Sequence, residues 1–310
     1  MPDDPDESFI VDTLLQARPE GPPRGSTSAP FAPGDDAAVV DFNRCVTVDA
    51  MIEGVHWDDA LSAEDVGWKL AAVNASDINA MGAIPRWAVL TIAVPKPLDK
   101  PWIVGFSRGF GAALAEWGIQ LVGGDTARSP GPRMLSLTLT GEAHHPIGRD
   151  GAQPGDDLWV SGPLGGAAAG FLLNGASTQA LRRPHPPMGL GPSLVGIASA
   201  MMDLSDGLAR DLPRLCAASG VGAEVEPTAL PLHPELDRAE DPLSLAVGFG
   251  EEYELLFTAP PTHRDAISQT AAKHNRKPTR IGTIQRATGV ALVGMPWPAL
   301  AFSHFGGDPC

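Results

Sequence analysis

Several carboxylates in this sequence lie where short apolar runs turn or end. Six of them are beside a predicted strand or turn: Asp35, Asp36, Asp49, Asp125, Asp203 and Asp206. Turns and strand ends are where proteins assemble sites on a rigid scaffold. Oxygen ligands without clustered Cys or His favour Mg²⁺ or Ca²⁺ over zinc, and the D-x-D-x-D-G spacing of a calcium loop is absent. Together they indicate a hard-cation site, although each aspartate alone is more often a turn former or helix cap.

Asp77 is a seventh candidate because it lies on the apolar side of a predicted helix. Three residues mark that side by their steps of four and three: Val66, Leu70 and Val73. Asp77 is the next step, where an unpaired charge is costly to bury. Pairing with Lys69 or Asn74 is one resolution, and coordination of a metal ion is the other.

Three further features carry weaker signals. The glycine-rich turn from Gly162 to Gly170 lacks both the GK[ST] of a P-loop and the spacing GxGxxG, so close strand–helix packing is favoured over phosphate binding. His56 beside Trp57 could face a ligand, although a lone histidine is usually structural. The acidic stretch 251–254 precedes a predicted strand and is typical of a solvated turn.

The elements that position these residues predict two α/β domains. A helix is expected from Ala63 to Met81, with Ser62 as its N-cap and Gly82 as its stop. The pattern restarts after about residue 150, without regular βαβ alternation, so we expect an α/β (α+β) fold divided into residues 1–150 and 151–310. Other expected elements are strands at 37–41, 45–50, 88–94, 201–204, 222–226 and 253–258, a buried strand at 119–122 that ends before Asp125, and helices at 101–117, 193–200, 262–274 and from Asp206.

Composition limits the classes of function. Lys and Arg total 22 against 37 Asp and Glu, a net charge of −15, which argues against nucleic-acid binding. A phosphate substrate would be repelled unless metal ions bridge it to the protein. The acidic N-terminus lacks the basic region of a signal peptide, and no apolar run approaches the length of a membrane span. Three scattered cysteines indicate free thiols in a reducing cytoplasm: Cys45, Cys216 and Cys310.

Read in order, the motifs resemble the thiamine-monophosphate kinases, within the superfamily of aminoimidazole ribonucleotide synthetase and selenophosphate synthetase. The resemblance covers about residues 34 to 305. The segments that carry it are GDDAAVV (34–40), TVDAMIEGVHW (47–57), KLAAVNASDINAMGAIP (69–85), LVGGDT (121–126), GRD (148–150), SGPLGGAAAG (161–170), MDLSDGL (202–208) and GEEYELLFT (250–258).

The resemblance implies a role for each matching residue. The positions that match magnesium ligands are Asp36, Thr47, Asp49, Asp77, Asp125, Asp203 and Asp206. Those that match ATP contacts are Gly124, Asp125, Arg149 and Ser205, and those that match thiamine-phosphate contacts are His56, Glu251 and Phe302. The family fold further implies an N-terminal domain that binds ATP and Mg²⁺ and forms a homodimer through its sheet, followed by a C-terminal α/β domain.

The chain departs from the family pattern at three places on the substrate side. Glu252 replaces the usual Asp of the Gly-Glu-Asp-Tyr-Glu motif. Phe302 keeps an aromatic face without a hydroxyl, and Ser303 follows it. Pro187 and Met188 stand where a Pro-Arg pair is common. These differences leave the substrate contacts open and do not touch the predicted metal ligands.

The function implied is Mg²⁺-assisted, in-line transfer of a phosphoryl group from ATP to thiamine monophosphate, giving thiamine diphosphate. A phosphate oxygen is already a competent nucleophile, so no catalytic base or covalent residue is needed. We expect no nucleic-acid or membrane partner. Two alternatives remain: another ATP-dependent reaction of the superfamily, of the amidine-cyclisation type, and a non-catalytic homologue that binds nucleotide or metal.

Overall fold

Two mixed β-sheets, each packed against helices, organise the chain in the computed structural model. The structure describes Leu14 and residues 34–41, 43–172 and 179–298. The first sheet is built from strands within 38–142 and the second from strands within 157–292. This arrangement confirms the predicted α/β class with two domains. The division after residue 150 falls in the connection between the sheets, and its position stays a prediction.

The first sheet has five strands in the order β1-β2-β5-β3-β4, with only the β3–β4 pair parallel. Its strands are β1 (Ala38–Asp41), β2 (Arg44–Ile52), β3 (Ile84–Val94), β4 (Gln120–Arg128) and β5 (Met134–Glu142). Alternation along β5 buries Leu135, Leu137 and Leu139 on one face, as the sequence predicted. That face is covered by α1 (Ala63–Ala80) and α2 (Lys100–Glu116).

Helix α1 is the element that joins the two halves. Ser62 caps its N-terminus by accepting a hydrogen bond from the Asp65 N–H, as predicted. It packs on the first sheet, on α2 and on β7 of the second sheet, and most of its residues are buried. The contact with α2 is close because Gly67 and Gly109 lie at the crossing, where a Cβ at either position would overlap backbone atoms of the other helix.

The second sheet has six strands in the order β11-β8-β10-β6-β9-β7. These are β6 (Asp157–Val160), β7 (Ala200–Asp203), β8 (Gly222–Val225), β9 (Leu255–Ala259), β10 (Thr279–Gln285) and β11 (Gly289–Leu292). The helices are α3 (Gly166–Leu172), α4 (Gln179–Arg182), α5 (Leu190–Ser193), α6 (Leu208–Ser219), α7 (Pro242–Gly248) and α8 (Arg264–Lys273). Strands β6 and β9 and the edge strand β7 are buried on both sides.

Several element predictions are wrong. The strand expected to be buried at 119–122 is β4, the edge strand of this sheet, which runs to Arg128 and is exposed along its whole length. Asp125 therefore lies inside a strand, as does Asp49 in β2. The helix expected at 193–200 is the single turn α5, and α6 begins after Gly207 rather than at Asp206. Among the described residues, none of the helices is both long and apolar enough to cross a membrane.

Candidate active site

Three aspartates from distant parts of the chain converge between the two sheets. Asp36 lies in the turn before β1, Asp77 in the C-terminal part of α1 and Asp203 at the end of β7. One carboxylate oxygen from each lies within 4.8 Å of the other two. The sequence separates these residues by 41 and 126 positions (77 − 36 and 203 − 77), so only the packing of α1 against both sheets brings them together.

Hydrogen bonds from neighbouring side chains fix two of these carboxylates. Thr47 Oγ1 on β2 donates to Asp77 Oδ2 at 2.6 Å. Ser76 Oγ donates to Asp203 Oδ2 at 2.5 Å, which ties α1 to the second sheet. Asp49 lies two residues beyond Thr47 on the same face of β2, and it is close enough to Asp77 for each carboxyl group to influence the pKa of the other.

Burial and mutual repulsion both raise the pKa values of these carboxyl groups. Burial raises the pKa of Asp77 well above its ordinary value, and the negative charges of Asp49 and Asp203 raise it further. Burial likewise raises the pKa of Asp203 well above the ordinary value, with Asp36 adding to the effect. Carboxylates this close cannot all be ionised unless cations neutralise them. The site is therefore built to bind positive charge.

Arg149 supplies one fixed cation. Its Nη2 lies 2.5 Å from Asp36 Oδ1, and its backbone N–H donates to Asp35 Oδ1 at 2.8 Å. Burial lowers the Arg149 pKa, but the charge and hydrogen bond of Asp36 outweigh that and raise it. Burial in turn raises the pKa of Asp36, against the opposing effect of Arg149. Arg149 balances the charge of Asp36. The site needs a further cation to balance Asp77 and Asp203.

The donor set fits a magnesium ion. The Asp36 side chain is only 1% exposed, and its Oδ2 atom has no hydrogen-bond partner among the described residues. A buried carboxylate oxygen left without a partner is costly unless a ligand completes it. All candidate ligand atoms are oxygens, which is the preference of Mg²⁺. Asp36, Asp77 and Asp203 would hold the ion, with Asp49 beside them.

The structure places Gly124 and Asp125 elsewhere. The sheet register aligns Asp49 with Leu137, Leu90 and Gly124 across four strands. With strands about 4.8 Å apart, Gly124 and its neighbour lie roughly 14 Å from Asp49. Asp125 pairs with Thr91, one position along, so its side chain lies on the face opposite the helices. Within one protomer these two residues do not join the aspartates.

Asp206 and Ser205 follow Asp203 in the turn that leads to α6. The Asp206 carboxylate accepts from Arg214 Nη1 at 2.7 Å, and its N–H donates to Asp211 Oδ2 at 2.9 Å. The Asp206 carboxylate is therefore paired with Arg214, and it is not part of the cluster of Asp36, Asp77 and Asp203. The Ser205 carbonyl accepts from the Glu251 N–H at 2.7 Å, which joins this turn to the segment before β9.

Glu251, one of the three predicted substrate contacts, lies in the segment before β9. Its carboxylate forms an ion pair with Lys69 of α1. His56 is used locally, since its Nδ1 accepts from the Ile52 N–H at 3.0 Å in the turn after β2. Phe302 lies outside the described residues, as does Ser303. The roles of all three toward a substrate stay predictions.

Sequence reasoning missed three polar residues of this region as site residues. Lys69 and Ser76 are seven residues apart and hence project from the same side of α1. Lys69 precedes the Ser76–Asp77 pair by two helical turns, and Lys69 could have been predicted from this spacing. Tyr253 is buried in a left-handed conformation with φ of 52°, and its neighbour Glu251 has φ of 67°. Such backbone conformations in non-glycine residues cluster at functional sites, but nothing in the residue types predicts them.

The glycine-rich turn binds a carboxylate of the protein itself. Gly165 donates its N–H to Glu252 Oε1 at 2.7 Å, at the start of α3. A Cβ at Gly162 would lie 2.5 Å from the Glu254 carboxyl, which explains the glycine there. The acidic stretch 251–254 is thus engaged with its surroundings, and the prediction of a solvated turn is wrong. The expectation of close packing at the glycine-rich turn is consistent with these contacts.

Comparison with known proteins identifies the family of this chain. Residues 34–143 match the family model described as AIR synthase related protein, N-terminal domain, and residues 153–294 match its C-terminal domain. The thiamine-monophosphate kinase of Haemophilus influenzae is 38% identical over 279 residues, which cover 83% of this chain and 83% of the relative. The chain belongs to the thiamine-monophosphate kinases of the AIR synthase related family. The predicted family and its class of enzyme, a phosphotransferase, are confirmed.

Solved structures of thiamine-monophosphate kinases share the whole fold. The crystal structure of the enzyme from Stenotrophomonas maltophilia has 36% sequence identity and a TM-score of 0.76, covering 92% of this chain and 95% of its own. AaThiL complexed with AMPPCP and TMP has 29% identity and a TM-score of 0.81, covering 97% of both chains. The aspartates described above therefore lie in a fold that, in AaThiL, binds these two ligands.

Proposed function

We propose that this chain transfers the γ-phosphoryl group of ATP to thiamine monophosphate, forming thiamine diphosphate and ADP. The observation that carries the proposal is the convergence of Asp36, Asp77 and Asp203 beside Arg149. Membership in the kinase family supports the substrates, because AaThiL binds AMPPCP, an analogue of ATP, together with TMP.

In the proposed step, an oxygen of the acceptor phosphate forms a bond to the γ-phosphorus as the bond to the β–γ bridging oxygen breaks. ADP leaves with that electron pair. Mg²⁺, when bound, supplies neutralisation of the phosphate charges and bridges them to the protein. No residue has to remove a proton from the acceptor, which fits a site where the described residues gather aspartates and one arginine without a histidine in the cluster.

The residues of the chain have separate tasks in this proposal. Asp36, Asp77 and Asp203 hold the cations, and Thr47 and Ser76 orient two of those carboxylates by the hydrogen bonds they donate. Arg149 is held by Asp36 and presents a fixed positive charge to a phosphate. Fixing both anions in line is the main source of rate in such a reaction.

We further propose that the protein is a homodimer through the open face of the first sheet. That face carries exposed apolar side chains on strands β2 and β3: Val48, Trp87 and Val89. Asp125 lies on the same face, paired with Thr91. We therefore assign its predicted contact with metal and ATP to the dimer rather than to one protomer.

The cytoplasm is the proposed location of the reaction. Cys45 and Cys216 are free and buried, which is compatible with a reducing compartment. This part of the proposal depends on cysteine usage alone.

The test is a direct assay of thiamine diphosphate formed from ATP and thiamine monophosphate with Mg²⁺. Asp203→Asn is expected to abolish most turnover, whereas Asp59→Asn, at an exposed position, serves as a matched control and should retain it. A folded wild-type protein that hydrolyses or binds ATP but forms no thiamine diphosphate would contradict the proposal and favour another reaction of the superfamily.

A further inference from the structure

A buried lysine lies at the edge of the proposed site with a single carboxylate to balance it. Lys69 is 3% exposed, and Glu251 is its ion-pair partner among the described residues. Lys69 comes from α1, and Glu251 comes from the segment before β9, so the pair links the two halves of the molecule. Burying a lysine is costly unless its charge is matched, and this pairing explains how the fold tolerates it.

The pair belongs to the same electrostatic environment as the aspartates. Lys69 projects from the side of α1 that carries Ser76, and Ser76 is hydrogen-bonded to Asp203. The two residues are about 10 Å apart along the helix axis. Tyr253 is close enough to both groups to be influenced by them: burial raises the pKa of its hydroxyl well above the ordinary value, and the charges of Glu251, then Asp49, Asp203 and Asp77, raise it further.

Glu251 is held in place by more than the lysine. Its backbone has φ of 67°, a conformation that side chains rarely adopt, and its N–H donates to the Ser205 carbonyl at 2.7 Å. Its side chain is 29% exposed, in contrast to the buried Lys69. Because its backbone is fixed, the Glu251 carboxylate can remain in position, exposed to solvent on one side, if Lys69 pairs with another anion.

We propose that Lys69 binds the phosphate of the acceptor, beside Glu251, whose contact with the substrate the family resemblance already implies and whose charge would match the cationic ring. This inference rests on the proposed function. Thiamine monophosphate is a zwitterion, with a positive thiazolium and a negative phosphate. In the free protein the two side chains neutralise each other, and on binding each exchanges its partner for the opposite charge of the ligand. Lys69 is therefore paired both in the free protein and in the proposed complex, as a buried charge requires.

The competing explanation is a structural contact that only joins the two halves. Arg183 and Asp65 provide a matched control, because this ion pair also connects α1 to a later part of the chain, at 2.5 Å, and Asp65 is buried. Arg183→Met should lower thermal stability without altering the affinity for either substrate. Lys69→Met should act on the acceptor specifically.

The test measures KM for each substrate and the Kd for thiamine monophosphate and for thiamine. Lys69→Met is expected to raise KM for thiamine monophosphate about 10-fold or more, with KM for ATP changed less than about twofold. It should also remove the preference for thiamine monophosphate over thiamine in direct binding, and Lys69→Arg should restore part of it. Unchanged KM and unchanged preference in folded Lys69→Met would overturn the inference.

The double variant Lys69→Met/Glu251→Gln covers the case in which Lys69→Met does not fold. It leaves no unpaired buried carboxylate, so its fold should survive, and it too should fail to distinguish thiamine monophosphate from thiamine. Retained discrimination in the double variant contradicts the inference. Because the binding comparison needs no turnover, it separates this result from a failure of the proposed function, which is the absence of thiamine diphosphate in the wild-type assay.

Discussion

The Thr47 hydroxyl donates a 2.6 Å hydrogen bond to Asp77, and this contact joins β2 of the first sheet to the helix that covers it. Asp77 therefore has a strand residue on one side and the carboxyls of Asp49 and Asp203 nearby. Neither Lys69 nor Asn74 pairs with it: Lys69 is bound to Glu251, and the Asn74 amide donates to the Leu70 carbonyl at 2.9 Å. The structural pairing considered from the sequence is thus absent among the described residues.

Asp77→Asn separates a ligand from a structural group. The substitution removes one charge from a set of mutually repelling carboxyls, so the metal-free protein should be as stable as wild type or more stable in thermal unfolding. Turnover should fall about 100-fold or more, because positioning and charge neutralisation by the metal are lost together. Asp59→Asn is the exposed control. A destabilised variant with normal turnover would remove Asp77 from the site.

Removal of the metal ion should lower the thermal stability of the wild-type protein, whereas Asp77→Asn should not lower that of the metal-free protein. Wild-type protein stripped with a chelator is expected to lose activity and to regain it on addition of Mg²⁺. Mg²⁺ should also raise the melting temperature of wild type, since it binds the folded state at the aspartates, and raise it far less in Asp77→Asn. Full activity in excess chelator would contradict a metal-dependent mechanism.

The sequence was sufficient for the features that depend on local pattern. The alternation of apolar residues identifies strand β5, and the N-cap Ser62 identifies the start of helix α1, each from a few residues. Asp77 was found because it interrupts an apolar stripe, and the structure places it beside Asp36 and Asp203. Asp36 and Asp203 were candidates because they lie at a turn and at a strand end, but no spacing rule places residues 36, 77 and 203 within 4.8 Å of one another.

Features that depend on tertiary packing could not be predicted. Strand β4 lies at the edge of its sheet and is exposed, and its apolar residues reveal neither its position in the sheet nor its exposure. The ion pair of Asp206 with Arg214 follows from the path of α6. Lys69 was considered only as a partner of Asp77, because its true partner, Glu251, lies 182 residues away in the sequence.

Glu252 should make stability depend on pH. Burial raises the pKa of its carboxyl to about 8, against the opposing hydrogen bond from the Gly165 N–H. The folded state therefore holds a proton that the unfolded state has lost between about pH 4.5 and 8, so this contribution is complete below pH 4.5 and is lost as the pH rises toward 8.

Glu252→Gln keeps an acceptor for Gly165 without the ionisation. Wild type should lose about 1–3 kcal/mol of unfolding free energy between pH 5 and pH 8 relative to the variant, less than the full shift implies because the residue is partly exposed. Thermal unfolding of both proteins across this range measures the difference. Parallel curves for the two proteins would show that Glu252 does not titrate in this window.

Gly109→Ala tests the helix crossing that holds α1 in place. A Cβ at this position would lie 1.8 Å from the Glu64 carbonyl oxygen, so α1 and α2 would have to separate. We expect a loss of about 3 kcal/mol in unfolding free energy. Gly111→Ala, on the same helix with open space around it, should instead stabilise the protein by about 0.5–1 kcal/mol. Equal effects of the two substitutions would contradict the close crossing.

Val89→Asp tests the proposed dimer face. Val89 is 41% exposed at the centre of the open face, in register with Val48, Thr138 and Gly123 of the other strands. A charge buried there against a second copy would be unpaired, and the dimer should dissociate at micromolar concentration in sedimentation experiments. Val104→Asp is the control, because Val104 is 57% exposed on α2, on the other side of the sheet.

Activity should follow assembly if Asp125 acts in the dimer. Within one protomer Asp125 lies on the open face and roughly 14 Å from Asp49. The monomeric Val89→Asp protein is therefore expected to lose most of its turnover while keeping the melting temperature of a folded chain, and Val104→Asp should remain a fully active dimer. Dilution of wild type below the dissociation constant of the dimer should reproduce the loss without any substitution. A fully active monomer, by either route, would show that Asp125 serves no site across the interface and that the open face has another use.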